Sequence, residues 1–245
     1  MVEGLYSAAA GMMAQQERLD SVANDIANVN THGYKHVRVA FRDLAYQAAG
    51  QGATDGVRPG SGTAAWALGR NFAQGGLERT DRSLDVAVEG PGFMRVRGAD
   101  GQEALTRDGN LQVDAKGQLV TSTGHKLVPP ITIPKGVDSG AISIAQDGRV
   151  SAHGRTLGRI QLVDVPAPDH LTALGDNLYA PSAASGAARN ADKGTRLDQG
   201  VLEGSNVDMS EAMVDMMDAQ KSYALASRAI QMQDQAMEIA NGLRR

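Results

Sequence analysis

Apolar residues recur every seven positions near the N-terminus of this 245-residue chain. The repeat is carried by Leu5, Met12, Leu19 and Ile26, and Val22 follows Leu19 at the second apolar position of the same heptad. A repeat of this period lines the apolar side chains along one narrow strip of an α-helix, which is the pattern of a coiled-coil seam. The N-terminal segment is therefore predicted to be a long helix with a single seam.

The C-terminal end of the chain carries a second seam with the same period. Its members are Met209, Met216, Tyr223, Ile230 and Met237. Asp208, followed three positions later by Glu211, is typical of the residues that cap a helix N-terminus. We therefore predict two long terminal helices, roughly 45 and 50 Å in length at 1.5 Å per residue, that pack together in a coiled-coil-like manner.

In the middle of the chain, apolar residues recur at every second position. Leu84, Val86 and Val88 alternate with other residues, as in a half-buried strand. Short apolar runs further along are separated by Asp-Gly pairs at 100–101, 108–109 and 147–148 and by Lys116-Gly117, which favours hairpins with tight turns. The sequence therefore predicts an α+β protein whose central domain is all-β and built from short strands and hairpins.

Segments rich in Gly, Ser and Ala flank this β region and favour extended connections. The predicted domains are an N-terminal helix (1–33), an extended arm (34–82), a central β domain (83–181), a linker (182–206) and a C-terminal helix (207–245). The first helix is expected to end at the NTHG stretch, because Gly33 can adopt the left-handed conformation that follows a helix.

Charge and composition exclude several classes of protein. The formal net charge is −4 and Lys and Arg are scattered, so there is no basic stripe to neutralise nucleic-acid phosphates. No apolar run is long enough to span a bilayer, and Glu3 lies where a secretory signal would carry a basic residue, so neither a membrane span nor a cleaved signal peptide is expected. The absence of Cys excludes disulfides and thiolate chemistry.

The sequence contains no pattern that predicts catalysis, a metal or a cofactor. The five His residues are dispersed, and the Asp108-Gly109-Asn110 stretch lacks the Gly and Glu that a calcium loop needs at its sixth and twelfth positions. Asp85 and Glu89 could be imagined as the carboxylate pair of a peptidoglycan hydrolase. However, their strand spacing of about 13 Å is too large for that chemistry, and a solvated strand face is the better interpretation.

A narrow seam on a long helix covers only one side of its partner. Much of each terminal helix would therefore remain exposed to solvent in a single molecule. The pattern leaves three arrangements open: an antiparallel helix hairpin in a monomer, a coiled-coil dimer such as an adhesin, or a bundle of many copies.

Four long motifs resemble the flagellar rod and hook family. They are LYSAAAGMMAQQERLDSVANDIANVNTHGYK near the start, SLDVAVEGPGFMRV and TRDGNLQVDAKGQLVTSTGHKLVPPITIP in the middle, and QGVLEGSNVDMSEAMVDMMDAQKSYALASRAIQMQDQ near the end. They occur in the family's order and span nearly the whole chain. The resemblance is closest to the distal rod members, with proximal rod and hook subunits as the alternatives within the family.

The resemblance implies a structural axial subunit of the flagellar basal body. Members of this family polymerise with themselves, contact adjacent rod and hook subunits and ring proteins where these exist, and reach the periplasmic space through the flagellar type III export apparatus without a cleaved signal. Asn24, Asn28 and Asn30 match the family's Asn-rich motif, and their amides could fix the register between subunits. Gly33 would then turn the chain out of the helical layer.

Overall fold

The structure is a computed structural model that describes residues 2–44, 62–98, 101–191 and 194–242. Its chain divides into two compact units. Unit 1 is drawn from Met1–Ala27, Val37–Leu68 and Asp208–Arg245, and unit 2 from Asn28–His36 and Gly69–Val207. The fold is α+β, with a helix near each end and a β-rich centre, as the sequence predicts.

The helices are α1 (Val2–Ala27) and α2 (Met209–Gly242). The strands in the described residues are β1 (Val37–Asp43), β2 (Thr63–Arg70), β3 (Leu77–Arg79), β4 (Val86–Glu89), β5 (Phe93–Arg97), β6 (Glu103–Thr106), β7 (Leu111–Val113), β8 (Leu119–Thr121), β9 (Lys126–Leu127), β10 (Ile142–Ile144), β11 (Arg149–Ala152), β12 (Arg155–Arg159), β13 (Leu162–Asp164), β14 (Thr172–Gly175), β15 (Leu178–Ala180), β16 (Arg189–Asn190), β17 (Arg196–Gln199) and β18 (Val201–Glu203). Short 3-10 turns occur at Ser139–Ala141 and Pro168–His170.

Unit 1 consists of the two helices and the β1–β2 sheet. The cap predicted for α2 is confirmed, since the Asp208 carboxylate accepts hydrogen bonds from the N–H groups of Ser210 and Glu211 at 2.7 and 3.2 Å. Helix α1 ends at Ala27, earlier than the boundary expected at residue 33, and the residues that follow it belong to unit 2. Gly33 has a φ of 70°, the left-handed conformation that was predicted for it.

Unit 2 is built on a mostly antiparallel meander. Its largest sheet runs in the order β14-β15-β6-β5-β9-β8-β7, with β13 pairing both β5 and β16. A separate sheet has the order β10-β11-β12. Two further pairs join the beginning of the unit to its end, since β4 pairs with β17 and β3 pairs with β18.

The core of unit 2 has an aliphatic part and an aromatic part. Val86 and Val88 belong to the aliphatic part and are fully buried, as their alternation predicts. The aromatic part is an edge-to-face cluster of Phe72, Phe93 and Tyr179 with ring centroids 5.0 to 6.3 Å apart. A chain with few aromatic residues thus concentrates three of them at one place.

Two of the predicted hairpin turns are confirmed and one is wrong. Lys116-Gly117 joins the antiparallel strands β7 and β8, and the 147–148 pair joins β10 and β11. Asp108-Gly109 is not a hairpin turn, because β6 and β7 on either side of it pair with other strands. Gly109 is needed there for another reason: a Cβ atom at this position would collide with the carbonyl of Val86. Asp100 lies outside the described residues.

Strands also occur in the two segments that composition suggested were extended connections. β1, β2 and β3 lie within 34–82, and β16, β17 and β18 lie within 182–206. Leu197 and Leu202 are buried in unit 2, so single apolar residues are enough to place these short strands in the core. A low average hydrophobicity conceals such isolated contacts.

Replacing Asp108 by Asn should raise the thermal unfolding midpoint at pH 8. Burial is the main reason that the pKa of the Asp108 carboxyl lies above its usual value, and hydrogen bonds from the Asn110 N–H and the Ser122 hydroxyl offset it only in part. Between the unfolded pKa of about 3.9 and the raised folded value, the folded protein holds more protons than the unfolded chain. Stability contributed by Asp108 is therefore present at low pH and lost as pH rises through that window. Asn keeps an acceptor oxygen for the Asn110 N–H but cannot ionise, so the variant does not lose this stability at pH 8.

Circular dichroism melts across this pH range provide the measurement. Asp114→Asn is the matched control and should lower the unfolding midpoint at pH 8. The N–H groups of Gln118 and Lys116 lower the pKa of Asp114 and favour its charged form. A lower midpoint for Asp108→Asn at pH 8 would contradict the prediction.

Candidate functional site

The two terminal helices pack against each other within unit 1. An ion pair joins them, with the guanidinium of Arg18 on α1 2.7 Å from the Asp215 carboxylate on α2. Small side chains are buried along the pair, namely Ala14 on α1 and Ala212 and Ala219 on α2. Small buried residues allow two helix backbones to approach closely.

Most of the predicted seam residues are buried or half-buried in unit 1. Val22 is buried, and the half-buried members are Met12, Leu19, Ile26, Met209, Met216, Ile230 and Met237. Tyr223 is exposed. The side chain of Leu5 lies outside the described residues. The structure thus brings the helices together but does not establish coiled-coil packing or any contact with another molecule.

A second line of large apolar side chains on the helices is exposed, and we call it the outer stripe. It comprises Tyr6 and Met13 on α1 and Leu225, Met232 and Ile239 on α2, all between 64 and 74% exposed. The α2 members each follow a seam position by two residues, which is about 200° around an α-helix and therefore the opposite face. On α1 the offset is one residue, or about 100°. The helix pair accordingly has apolar side chains both at the contact between α1 and α2 and on its solvent-exposed surface.

The β1–β2 hairpin extends the exposed apolar surface of unit 1. Phe41, Trp66 and Leu68 are exposed on it, with Trp66 55% exposed. The guanidinium of Arg42 lies 5.0 Å from the Trp66 ring centroid, and that of Arg18 lies 5.9 Å from the Phe41 ring centroid. Sequence reasoning missed this hairpin because the Gly-rich composition around it suggested an arm. The alternation in VRVAF was the available signal.

The four residues assigned to the register motif are divided between the two units. Asn24 is exposed on α1 in unit 1, whereas Asn28, Asn30 and Gly33 belong to unit 2. The Asn28 side-chain oxygen accepts a hydrogen bond from the Thr31 hydroxyl at 3.2 Å within its own segment, and Asn30 is exposed. Gly33 is buried, and a Cβ there would lie 2.9 Å from the backbone nitrogen of Asp108. A side chain at position 33 would therefore displace the 107–109 loop.

The carboxylates considered for catalysis have other environments. Asp85 is fully buried and accepts a hydrogen bond from the Thr80 hydroxyl at 2.7 Å, so its assignment to a solvated strand face was wrong. Glu89 pairs with Arg196 at 3.3 Å. Among the described residues no group of three or more His, Asp or Glu side chains could hold a metal ion. In that same part of the chain, neither long helix is apolar enough to cross a membrane.

Comparison with family models finds three matches, one each in the N-terminal, central and C-terminal parts of the chain. A model described as flagella basal body rod protein matches residues 5–35. One described as the flagellar hook protein FlgE/F/G D1 domain matches residues 87–152, and one described as the flagellar basal body rod FlgEFG protein C-terminal matches residues 198–243. The first and third cover most of α1 and α2.

Comparison with known proteins finds relatives along the full length. A protein of Borreliella burgdorferi named flagellar basal-body rod protein FlgG is 41% identical over 264 aligned positions, which cover 100% of both chains. Proteins of the same name from Caulobacter vibrioides and Bacillus subtilis are each 36% identical, covering 99% and 100% of this chain and 100% of their own.

Proposed function

The chain belongs to the flagellar basal-body rod family, and from this premise we propose that it is a structural subunit of the distal part of the rod. Its role is to polymerise into a shaft rather than to catalyse a reaction. The full-length relatives named FlgG support the distal position over the proximal rod and hook alternatives.

The outer stripe is the observation that carries this proposal. Leu225, Met232 and Ile239 remain exposed although α1 already packs on α2, so the helix pair retains apolar surface that one molecule does not bury. Exposed apolar surface of this extent and regularity is typical of an interaction site. Further copies of the same chain, related by a rotation that does not close, would bury it in an open helical filament.

We propose separate roles for the two apolar faces. The seam, with Val22 as its most buried member, and the small buried side chain of Ala219 hold α1 and α2 of one subunit together in a coiled-coil-like pair. The outer stripe contacts neighbouring subunits. Asn24 lies exposed on α1, where its amide can fix the register against a neighbour, while Asn28 and Asn30 belong to the turn that follows α1.

The remaining parts of the proposal are supported by the family resemblance. The subunit assembles with further copies and with adjacent rod and hook subunits in the basal body. We propose that it lies in the periplasmic space, that it contacts ring proteins where these exist, and that the flagellar type III export apparatus delivers it.

Basal bodies test the proposal directly. Cells that lack this protein should have rods shorter than those of the parent strain, and these rods should carry no hook, because the missing subunits fill the distal segment. Electron cryo-microscopy of purified basal bodies provides the measurement, with re-expression of the intact chain as the control. Rods of normal length in the deletion strain would overturn the proposal.

A further inference from the structure

Unit 2 contains a buried cluster of charged and amide side chains that the rod function does not explain. We call it the clasp and define it as Lys35, Arg107, Glu203 and Asn206. The Lys35 ammonium lies 2.6 Å from the Glu203 carboxylate, and both side chains are completely buried. Arg107, also buried, approaches the two oxygens of the same carboxylate at 3.3 and 3.4 Å. Buried charges are costly unless they are paired and hydrogen-bonded, and here the one carboxylate of Glu203 serves both cations.

The clasp joins passages of chain that are far apart in sequence. Lys35 and Glu203 are 168 positions apart. The Lys35 ammonium also donates to the carbonyl of Ala73 at 2.8 Å, and the Glu203 carboxylate accepts from the N–H of Gly75 at 3.0 Å. The guanidinium of Arg107 donates to the carbonyls of Gly90 and Gly92, at 2.8 and 2.9 Å.

Backbone and amide contacts complete the junction. The N–H of Gly33 donates to the Glu203 carbonyl at 2.8 Å. The Asn206 side chain accepts from the N–H of His36 at 2.8 Å and donates to the carbonyls of Asn71 and Ala73 at 2.7 and 3.1 Å. Asn206 thus holds the segment after α1 to the segment that follows β2. Every donor and acceptor here comes from unit 2.

The position of the clasp in the chain suggests its purpose. Lys35 lies a few residues beyond the end of α1 at Ala27, and Asn206 lies a few residues before the start of α2 at Met209. The segment that follows α1 (28–36) and the segment that precedes α2 are therefore fixed to each other and to residues 71–75, close in sequence to where the chain passes between the units after His36, before Gly69 and after Val207. Lys35 ends one family-matched segment, 5–35, and Glu203 lies in another, 198–243.

We propose that the clasp is the joint through which the subunit transmits force, with Lys35 and Glu203 as its positioning residues. This inference rests on the proposed rod function. A shaft subunit that polymerises through its helices must pass load between those helices and its β unit, and the clasp holds the segments of unit 2 that lead to α1 and α2. Breaking it frees residues 28–36 from the sheets while leaving the hydrophobic core of unit 2 intact.

Lys35→Met is the variant best suited to test the joint. It keeps the length of the apolar stem and leaves Arg107 and Glu203 as a neutral pair, whereas removing Glu203 would leave two buried cations without a counter-charge. Lys116→Met, at an exposed position in the β7–β8 turn, is the matched control. Glu203→Gln and the double variant Lys35→Met/Glu203→Gln complete a cycle that measures the coupling between the two positions.

Hydrogen exchange in the purified full-length protein provides the first measurement. Lys35→Met should accelerate exchange of the Gly33 and His36 amides at least tenfold relative to Lys116→Met, while the amides of β7 and β8 keep their protection. The acceleration in the double variant should be smaller than the product of the two single effects. Unchanged protection at Gly33 and His36, or multiplicative single effects, would overturn the clasp as a joint.

Cells that carry only the Lys35→Met protein provide the second measurement. Their basal bodies should have rods of normal length, but their swimming speed in viscous medium should fall at least twofold relative to cells with Lys116→Met. Unchanged swimming speed would overturn the role of Lys35 in transmitting force. Short rods would also overturn it, since Lys35 would then act in assembly. Both results leave the proposed function itself standing, because that depends on rod length in the deletion strain.

Discussion

Substituting Val88 by Asp should prevent unit 2 from folding. Val88 is fully buried in the aliphatic core and pairs with Leu197 across the β4–β17 ladder, so an aspartate there would bury a charge with no partner. The expected loss is more than about 4 kcal/mol, which is a large fraction of the stability of a typical domain. Circular dichroism and thermal melts of the purified protein provide the measurement.

Val113→Asp is the control for this prediction. Val113 also lies in a strand, β7, but its side chain is exposed, so the same substitution should change the melting midpoint little. A cooperative melt of Val88→Asp near the wild-type midpoint would show that the core does not depend on β4.

Substituting Leu225 by Asp should stop polymerisation while unit 2 stays folded. Leu225 is 65% exposed in the single chain, so the change costs little there. In the proposed filament the same side chain is buried against a neighbour, where an unpaired carboxylate costs several kcal/mol. The concentration needed for polymerisation should rise at least about a hundredfold, since 1.4 kcal/mol corresponds to a factor of ten. Light scattering and electron microscopy of concentrated protein provide the measurement.

Gln220→Asp adds the same charge to α2 at a position that is already polar and exposed, and it should leave polymerisation nearly unchanged. Filaments of Leu225→Asp at wild-type concentrations would exclude Leu225 from the contact between subunits. Loss of the thermal transition of unit 2 in the same variant would show instead that the effect is on folding.

The helical ends and the β-rich centre could be predicted because each depends on local pattern. Heptads such as Leu19–Ile26 and alternation such as Val86–Val88 report which face of an element is apolar, and burial follows from that. What the heptads could not reveal was the outer stripe. Leu225 and Met232 are apolar residues outside the seam, and only the packing of α1 on α2 shows that they remain exposed.

The errors arose where distant residues decide a local structure. Asp108-Gly109 carries the signal of a tight turn, yet Gly109 serves the close approach of Val86 from another strand. Asp85 alternates with apolar neighbours as an exposed residue would, but it is buried, with a hydrogen bond from Thr80 to one carboxylate oxygen and the Arg82 guanidinium 3.8 Å from the other. Neither partner can be identified from spacing along the chain.

The clasp was missed for the same reason. Lys35 and Glu203 each sit in a polar-looking motif, where a charged residue is ordinarily solvated. Nothing in either motif indicates that the two side chains meet, since 168 positions separate them. Gly residues at positions 33, 75, 90 and 92 lie at or beside the partners of the clasp, and a Cβ atom at Gly33 or Gly75 would collide with another backbone.

Under the proposed delivery by the export apparatus, the pairing of β3 with β18 and of β4 with β17 predicts an order of folding events. In a chain that passes end-first through a narrow conduit, one strand of each pair emerges long before the other. These two pairs can therefore form only after most of the chain has passed, whichever end leads. The two strand pairs that join the beginning of unit 2 to its end in the folded subunit are thus the last to form during passage.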